Sequence, residues 1–317
     1  MIFDLASLAK PLVTAPLALR HLDLDADRRE QLGFGGRREP LTVRQLLSHA
    51  SGLPAWLPFT GEPLAAQLAR GWGGQDQPKL APGRVGACTY SDLGYRLLAE
   101  LLERETGRPF AELGAAASGL LPAPWPEAPT PMPPGPDLDL WTLAEPDLPP
   151  PPPGPGLPHD LNARAGMRGH AGFGADPERF KGCLEAWLAS EWPWAMAQEQ
   201  ARGADGNRWG LGLQRALRGR DRFGTLLDAL PLGRGGVHVI VAEEGAPSPL
   251  GPSGPPEGPS AFWFHLGFTG PALFFRPEDG LLVGVLAHRR APDGGLLDAE
   301  ALQARRWDAL KAWMATA

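Results

Sequence analysis

Ser7 and Lys10 stand three residues apart in the stretch I-F-D-L-A-S-L-A-K-P-L-V-T-A-P-L-A-L-R, residues 2 to 20. On a helix that spacing projects both side chains from one face, a turn apart. A serine hydroxyl is a weak nucleophile at neutral pH and needs a basic neighbour to take its proton. A lysine serves when burial and nearby positive potential lower its pKa. The N-terminus of a helix supplies such potential, together with backbone N–H groups that hold an oxyanion. One turn of helix can therefore carry a nucleophile, its base and half of an anion site. With nine serines and four lysines in the chain, S-x-x-K has a chance expectation of about one in nine. The plain alternative is a solvated helix face capped by Asp4 or Ser7. Against it stand the apolar flanks Phe3, Leu5, Leu8, Leu12 and Val13, and Pro11, which fits a first helical turn.

The elements that must position these groups follow from periodicity. Leu41 to Pro54 predicts a helix with Thr42 as N-cap, Leu46 and Leu47 on the core face and Gly52 at its end. An apolar helical stretch runs from Leu64 to Trp72. Tyr90-Ser91-Asp92 opens a helix over 93–107, with Ser91 or Asp92 as cap and Leu97, Leu98, Leu101 and Leu102 in 3.6 period. Residues 119–158 are proline-rich and predict a surface excursion. Phe180 to Trp194 predicts a Trp-rich helix and 208–214 the start of a strand. V-H-V-I-V-A-E (237–243) and L-L-V-G-V-L-A (281–287) read as strands, and 245–260 as a mobile loop. Residues 261–275, A-F-W-F-H-L-G-F-T-G-P-A-L-F-F, predict a strand interrupted at Gly267 and Gly270, where something approaches the backbone. Asp298 to Met314 is an amphipathic helix with Leu302, Leu310, Trp313 and Met314 inward. The expected class is α+β: an antiparallel sheet flanked by helices plus a mostly helical region. A single domain over 1–317 is expected, helical over roughly 20–200 and sheet-forming over 205–317 with the N-terminal helix.

Composition narrows the partners. The balance of 43% apolar and 21% charged residues is that of a globular chain. A net charge of −6 argues against nucleic acid. No run approaches the apolar length of a membrane span, and the first residues lack a basic n-region, so cytoplasmic placement is expected. Cys88 and Cys183 are isolated and the seven histidines show no H-x-x-x-H spacing, so neither a disulfide nor a metal is expected. The oligomeric state is open.

Three motifs in order, at Ser7, at Tyr90 and at His265, and further segments beside them resemble the serine β-lactamase-like family, which includes class C β-lactamases, penicillin-binding proteins and related esterases. F-D-L-A-S-L-A-K resembles its nucleophile helix, and L-L-S-H-A-S-G-L-P (46–54) its L-L-x-H-x-S-G-L-P signature. Tyr90-Ser91-Asp92 stands where the family has Tyr-x-Asn or Tyr-Ser-Asp. H-L-G-F-T-G (265–270) resembles the counterpart of K-T-G in penicillin-recognising enzymes. Between them, H-D-L-N-A (159–163) and G-H-A-G (169–172) resemble further family motifs. The resemblance implies a β-lactamase/transpeptidase-like fold and a serine hydrolase that acts on small-molecule esters, amides or β-lactams through an acyl-enzyme and needs no cofactor. It implies Ser7 as nucleophile, with Lys10 and a Tyr90 of lowered pKa moving protons. Asp92, His265, Gly267 and Phe268 would contact substrate, the Phe268 N–H completing an oxyanion hole with that of Ser7. His49 and Ser51 would shape the wall of the site. His159, Asp160, Asn162 and His170 would touch substrate or lock loops.

The sequence departs from the family in one respect: only six residues precede Ser7, where the family has a stretch that supplies sheet strands. Either the natural start lies upstream, with periplasmic or secreted placement then open, or the sheet shows a bare edge. The rival reading is a catalytically impaired binding or scaffold relative. A cysteine hydrolase built on Cys88 ranks below both, since no histidine lies near it in sequence.

Overall fold

A computed structural model describes residues 1–69, 86, 88–126, 141–142, 147–218, 222–242 and 259–316 of the chain. Strand β1 (Phe3–Asp4) leads into a 3-10 turn at Ala6–Leu8, a wide π-type turn at Lys10–Thr14, and then helix α1 (Ala15–His21). The expected single helix is thus three successive helical forms, and prolines are the reason. Pro11 and Pro16 have no N–H to donate, and the Ala15 N–H reaches back five residues to Lys10 O. That leaves Pro11 O without its usual helical donor, and the Trp187 indole N–H bonds it at 3.0 Å.

Next come α2 (Val43–Leu47), α3 (Leu64–Ala69), α4 (Asp92–Thr106) and α5 (Phe110–Ser118). Thr42 caps α2 as expected, in a capping box in which its hydroxyl accepts the Gln45 N–H and the Gln45 side chain accepts the Thr42 N–H. The helix stops at Leu47, short of Gly52, because His49 takes a left-handed backbone with φ 58°. Ser91 caps α4, and Gly107, with φ 66°, ends it. The remaining elements are β2 (Leu121–Pro122), α6 (Leu161–Arg164), β3 (Phe173–Ala175), α7 (Pro177–Leu188) and α8 (Trp192–Met196). After them run β4 (Ala201–Arg202), β5 (Arg208–Trp209), β6 (Gln214–Leu217), α9 (Arg222–Leu227) and β7 (Gly236–Val241). Strands β8 (Pro259–Leu266), β9 (Ala272–Arg276) and β10 (Leu281–Leu286) and helix α10 (Ala299–Thr316) complete the chain. The helix expected over 180–194 is therefore two, and the strand expected over 261–275 is a hairpin. Residues 70–72 of the third expected helix and 245–258 of the expected loop lie outside the described residues.

A small antiparallel sheet, ordered β1-β3-β2, holds the start of the chain. Pro122 sits on its edge strand, where a missing N–H costs no ladder bond. The proline-rich segment is not wholly superficial, since Trp125 and Trp141 within it are buried. The large sheet is ordered β4-β5-β6-β8-β9-β10-β7. It is antiparallel except at β10 and β7, which run parallel with Leu281 opposite Gly236 and Leu286 opposite Val241. Strand β10 is thus not a bare edge. Both faces of the sheet centre are covered: Trp263, Leu273, Phe275 and Leu282 pack towards the helical side. Phe262, Phe264, Phe274 and Val283 pack on the other side with Trp307 and Leu310 of α10. Burial on both faces explains why these strands read as continuous apolar runs rather than alternating ones.

Candidate functional site

The first turn of the chain is held by Asp4. Its Oδ1 accepts the Ala6 N–H at 2.8 Å and its Oδ2 the His159 N–H at 2.8 Å. Ala6 has a left-handed φ of 44°, costly for a residue with a Cβ, and this bond fixes it. Ser7 follows directly, on the wall of a cleft of about 330 Å³. Trp56, Tyr90, Asp92, His159, Asp160, Phe268 and Thr269 also line that cleft.

Lys10 lies beneath the wall, fully buried. Its ammonium donates to Ser7 Oγ at 2.9 Å and to His170 O at 3.2 Å, and pairs with Asp92 Oδ1 at 2.7 Å. Nζ also sits 5.0 Å from the centre of the Tyr90 ring. The spacing therefore brings Ser7 and Lys10 together as expected, but the expected charge state does not hold. Burial works to lower the lysine pKa, yet Asp92 and the Tyr90 phenol outweigh it and the net shift is upward. Lys10 is an ammonium at neutral pH. The expected lowering of the Tyr90 pKa is also reversed: burial raises it, and Lys10 offsets only part of that. Although 36% of Tyr90 is exposed, its hydroxyl end is packed within hydrogen-bond reach of Lys10 and Ser7.

His49 holds the second motif in place. Its Nδ1 accepts the Ser91 N–H at 3.0 Å, and its ring lies 4.6 Å from that of Tyr90. Asn162 locks a loop, accepting the Phe59 N–H at 2.7 Å and donating to Leu57 O at 2.8 Å. His170 Nε2 meets Asp160 Oδ1 at 2.8 Å. Burial alone would raise the Asp160 carboxyl, but His170 and the Ala163 N–H hold it at about 2. Asp92, Asp160 and His170 each bring a donor atom within 4.8 Å of the others. These donors already serve one another and Lys10, so the group reads as a charge network rather than a cation site.

The third motif forms the turn between β8 and β9. Phe268 lines the cleft, stacked on His159 with 5.1 Å between ring centres and covered by the Arg289 guanidinium at 4.2 Å. Thr269 Oγ1 donates to Asp4 O at 2.7 Å, tying this turn to the start of the chain. Gly267 leaves room for the chain itself: a Cβ there would come within 2.9 Å of Leu5 O. Neither Gly267 nor His265 is among the residues lining the cleft. His265 lies behind Tyr90, 6.0 Å between ring centres, with both ring nitrogens buried. Burial, then Lys10, pushes its pKa down to about 3, so it is neutral.

Sequence reasoning missed Trp56 and Arg306, and offered Asp4 only as a helix cap. Arg306, on α10, is fully buried against the third-motif turn. It stands in phase with Leu302 and Leu310, so a cation on an apolar stripe was the available signal.

These neutral histidines set a pH dependence. Unfolded histidine takes a proton near 6.5, whereas His159 does so only near 4 and His265 near 3, both because of burial. His49 is likewise held well below its ordinary value by burial. Between those values unfolding takes up protons, so acid destabilises the fold. Asp4 acts in the opposite sense: burial raises its carboxyl from 3.8 to about 6, so over that window the folded chain holds the extra proton. Three rings against one carboxyl decide the sign. The melting temperature is expected to fall from pH 6.5 towards pH 4, and to fall less steeply in His265→Gln; calorimetry across that range checks it.

Comparison with solved structures places the architecture. A class C β-lactamase from Rhodobacter sphaeroides matches at 18% identity and TM-score 0.57, over 99% of this chain and 86% of that one. A D-amino acid amidase from Ochrobactrum anthropi SV3, complexed with D-phenylalanine, matches at 17% identity and TM-score 0.57, over 98% and 92%. SurE matches at 20% identity and TM-score 0.55 over the whole of this chain, which spans 64% of SurE. At these identities the likeness is one of fold. Among curated proteins none matches the sequence. The Beta-lactamase family model matches residues 1–306, the three motifs included, and the chain belongs to the Beta-lactamase family.

Proposed function

We propose that Ser7 is the nucleophile of a hydrolase that works through an acyl-enzyme on small esters and amides. One observation carries the reading: Lys10 Nζ sits 2.9 Å from Ser7 Oγ and 2.7 Å from Asp92 Oδ1, beside an open cleft. The Lys10–Asp92 pair is the base. As Ser7 Oγ bonds to the substrate carbonyl carbon, its proton passes to Lys10, which releases one of its own to the Asp92 carboxylate. The pair goes from no net charge to a charge of +1, which faces the negative charge that develops on the substrate oxygen. The carbonyl electron pair moves onto oxygen, where the N–H groups of Ser7 and Phe268 receive it. Tyr90 holds its proton at neutral pH and so acts as the acid. It protonates the leaving oxygen or nitrogen as the acyl bond breaks, and regains a proton from Lys10. Water then enters in place of the leaving group and the same steps run in reverse order of roles.

The charge around the cleft bears on the substrate. Two carboxylates, Asp92 and Asp160, line it, while His159 and the nearby His265 are held neutral by burial. No lysine or arginine is among the described residues that line the cleft. Uncharged esters and amides therefore suit the site better than the anionic β-lactams. With p-nitrophenyl esters and a chromogenic cephalosporin assayed side by side, kcat/KM is expected to be the larger for the ester. Faster cephalosporin hydrolysis contradicts this choice of substrate.

A further inference from the structure

Arg306 is a buried cation with no carboxylate partner among the described residues. Burial, and then the neighbouring Arg289, push its pKa down to about 9, so it keeps its charge at neutral pH. A leucine would continue the stripe of Leu302 and Leu310 without that cost. Its partners show what the charge is for. Nε donates to Gly270 O at 2.7 Å, and one terminal nitrogen donates to Gly267 O at 2.5 Å and Pro271 O at 3.2 Å. The other terminal nitrogen donates to Gln303 Oε1 at 3.2 Å, within α10 itself. Three carbonyls of the β8–β9 turn thus converge on one rigid planar fork, which a lysine ammonium does not reproduce.

One of those carbonyls shares a peptide unit with a proposed catalytic donor. In a trans peptide the C=O of residue 267 and the N–H of residue 268 point in opposite directions across one plane. With Gly267 O held by Arg306 and, across the turn, by the Gly270 N–H at 3.2 Å, the Phe268 N–H points the other way across its peptide plane. The charge-assisted bond also polarises that peptide and makes its N–H a stronger donor. We infer that Arg306 is the positioning residue of the anion site, aiming the Phe268 N–H from the far side of its own peptide plane. The inference rests on the reading above, in which that N–H receives the oxyanion.

The test uses the full chain carrying Arg306→Lys and Arg306→Ala, with competent molecules counted by fluorophosphonate titration of Ser7. A misaimed donor is expected to lower kcat per titrated site about 100-fold in R306K. KM for the ester is expected to stay within about twofold, since the lost interaction belongs to the transition state. Added guanidinium ion at millimolar concentration is expected to restore part of the kcat of R306A, and sodium ion none. A purely structural role would lower the titrated fraction and the melting temperature but leave kcat per site unchanged. R306K keeps the charge and most of the volume, and decides the matter if R306A does not fold. Wild-type kcat per site in R306K overturns the inference alone. A wild-type protein that forms no Ser7 adduct overturns the reading of the site and this inference with it.

Discussion

Ser7→Ala is expected to lower kcat/KM for p-nitrophenyl esters by about 10⁴-fold or more, because no acyl-enzyme forms without the nucleophile. Stability is expected to change by only about 1 kcal/mol, the scale of one hydrogen bond. Lys10 keeps Asp92 and His170 O as partners when the hydroxyl is gone. Ester hydrolysis and denaturant unfolding of the same preparation check both numbers. A variant that folds as wild type and hydrolyses as wild type removes Ser7 from the chemistry.

Lys10→Met is expected to cost about 10³-fold in kcat, the scale of a lost general base. Methionine fills the channel of the lysine stem, and the side chain of Asp92, 15% exposed, has solvent to turn to. Asp92→Asn separates the base from its proton acceptor. Without the carboxylate the largest upward influence on Lys10 is gone while burial still acts, so its pKa is expected to fall. The D92N enzyme is expected to be slow at pH 7 and to recover as pH rises and the free amine appears. Wild type, whose ion pair exchanges the proton internally, is expected to show a flatter profile over that range. Rate profiles of the two proteins from pH 6 to 10 check the difference, and parallel profiles contradict the role given to Asp92.

Much of the contact map at this site could be read from the residues. The three-residue spacing brought Ser7 to Lys10, and the apolar run around His265 marked sheet, though as a hairpin rather than the one strand expected. What could not be read was the charge state. Whether Lys10 is an amine or an ammonium depends on a carboxylate that α4 brings to 2.7 Å from far along the chain. No local rule contains that distance. The form of the first helix was hidden for a related reason. Two prolines show that regular bonding fails, but the wide turn is stabilised by Trp187, whose indole takes the freed Pro11 carbonyl. Likewise β7 is legible as a strand from V-H-V-I-V, while its parallel pairing with β10 is a matter of tertiary register. Arg306 escaped notice because helical periodicity sorts residues into apolar and polar faces. A cation buried for the sake of backbone carbonyls obeys neither.

The most direct test is the mass of the peptide containing Ser7 after the folded protein has been incubated with a fluorophosphonate. One adduct on Ser7 is expected, absent from Ser7→Ala and greatly slowed in Lys10→Met. A folded protein that stays unmodified, or that carries its adduct on another residue such as Cys88, contradicts the assignment of Ser7 as the nucleophile.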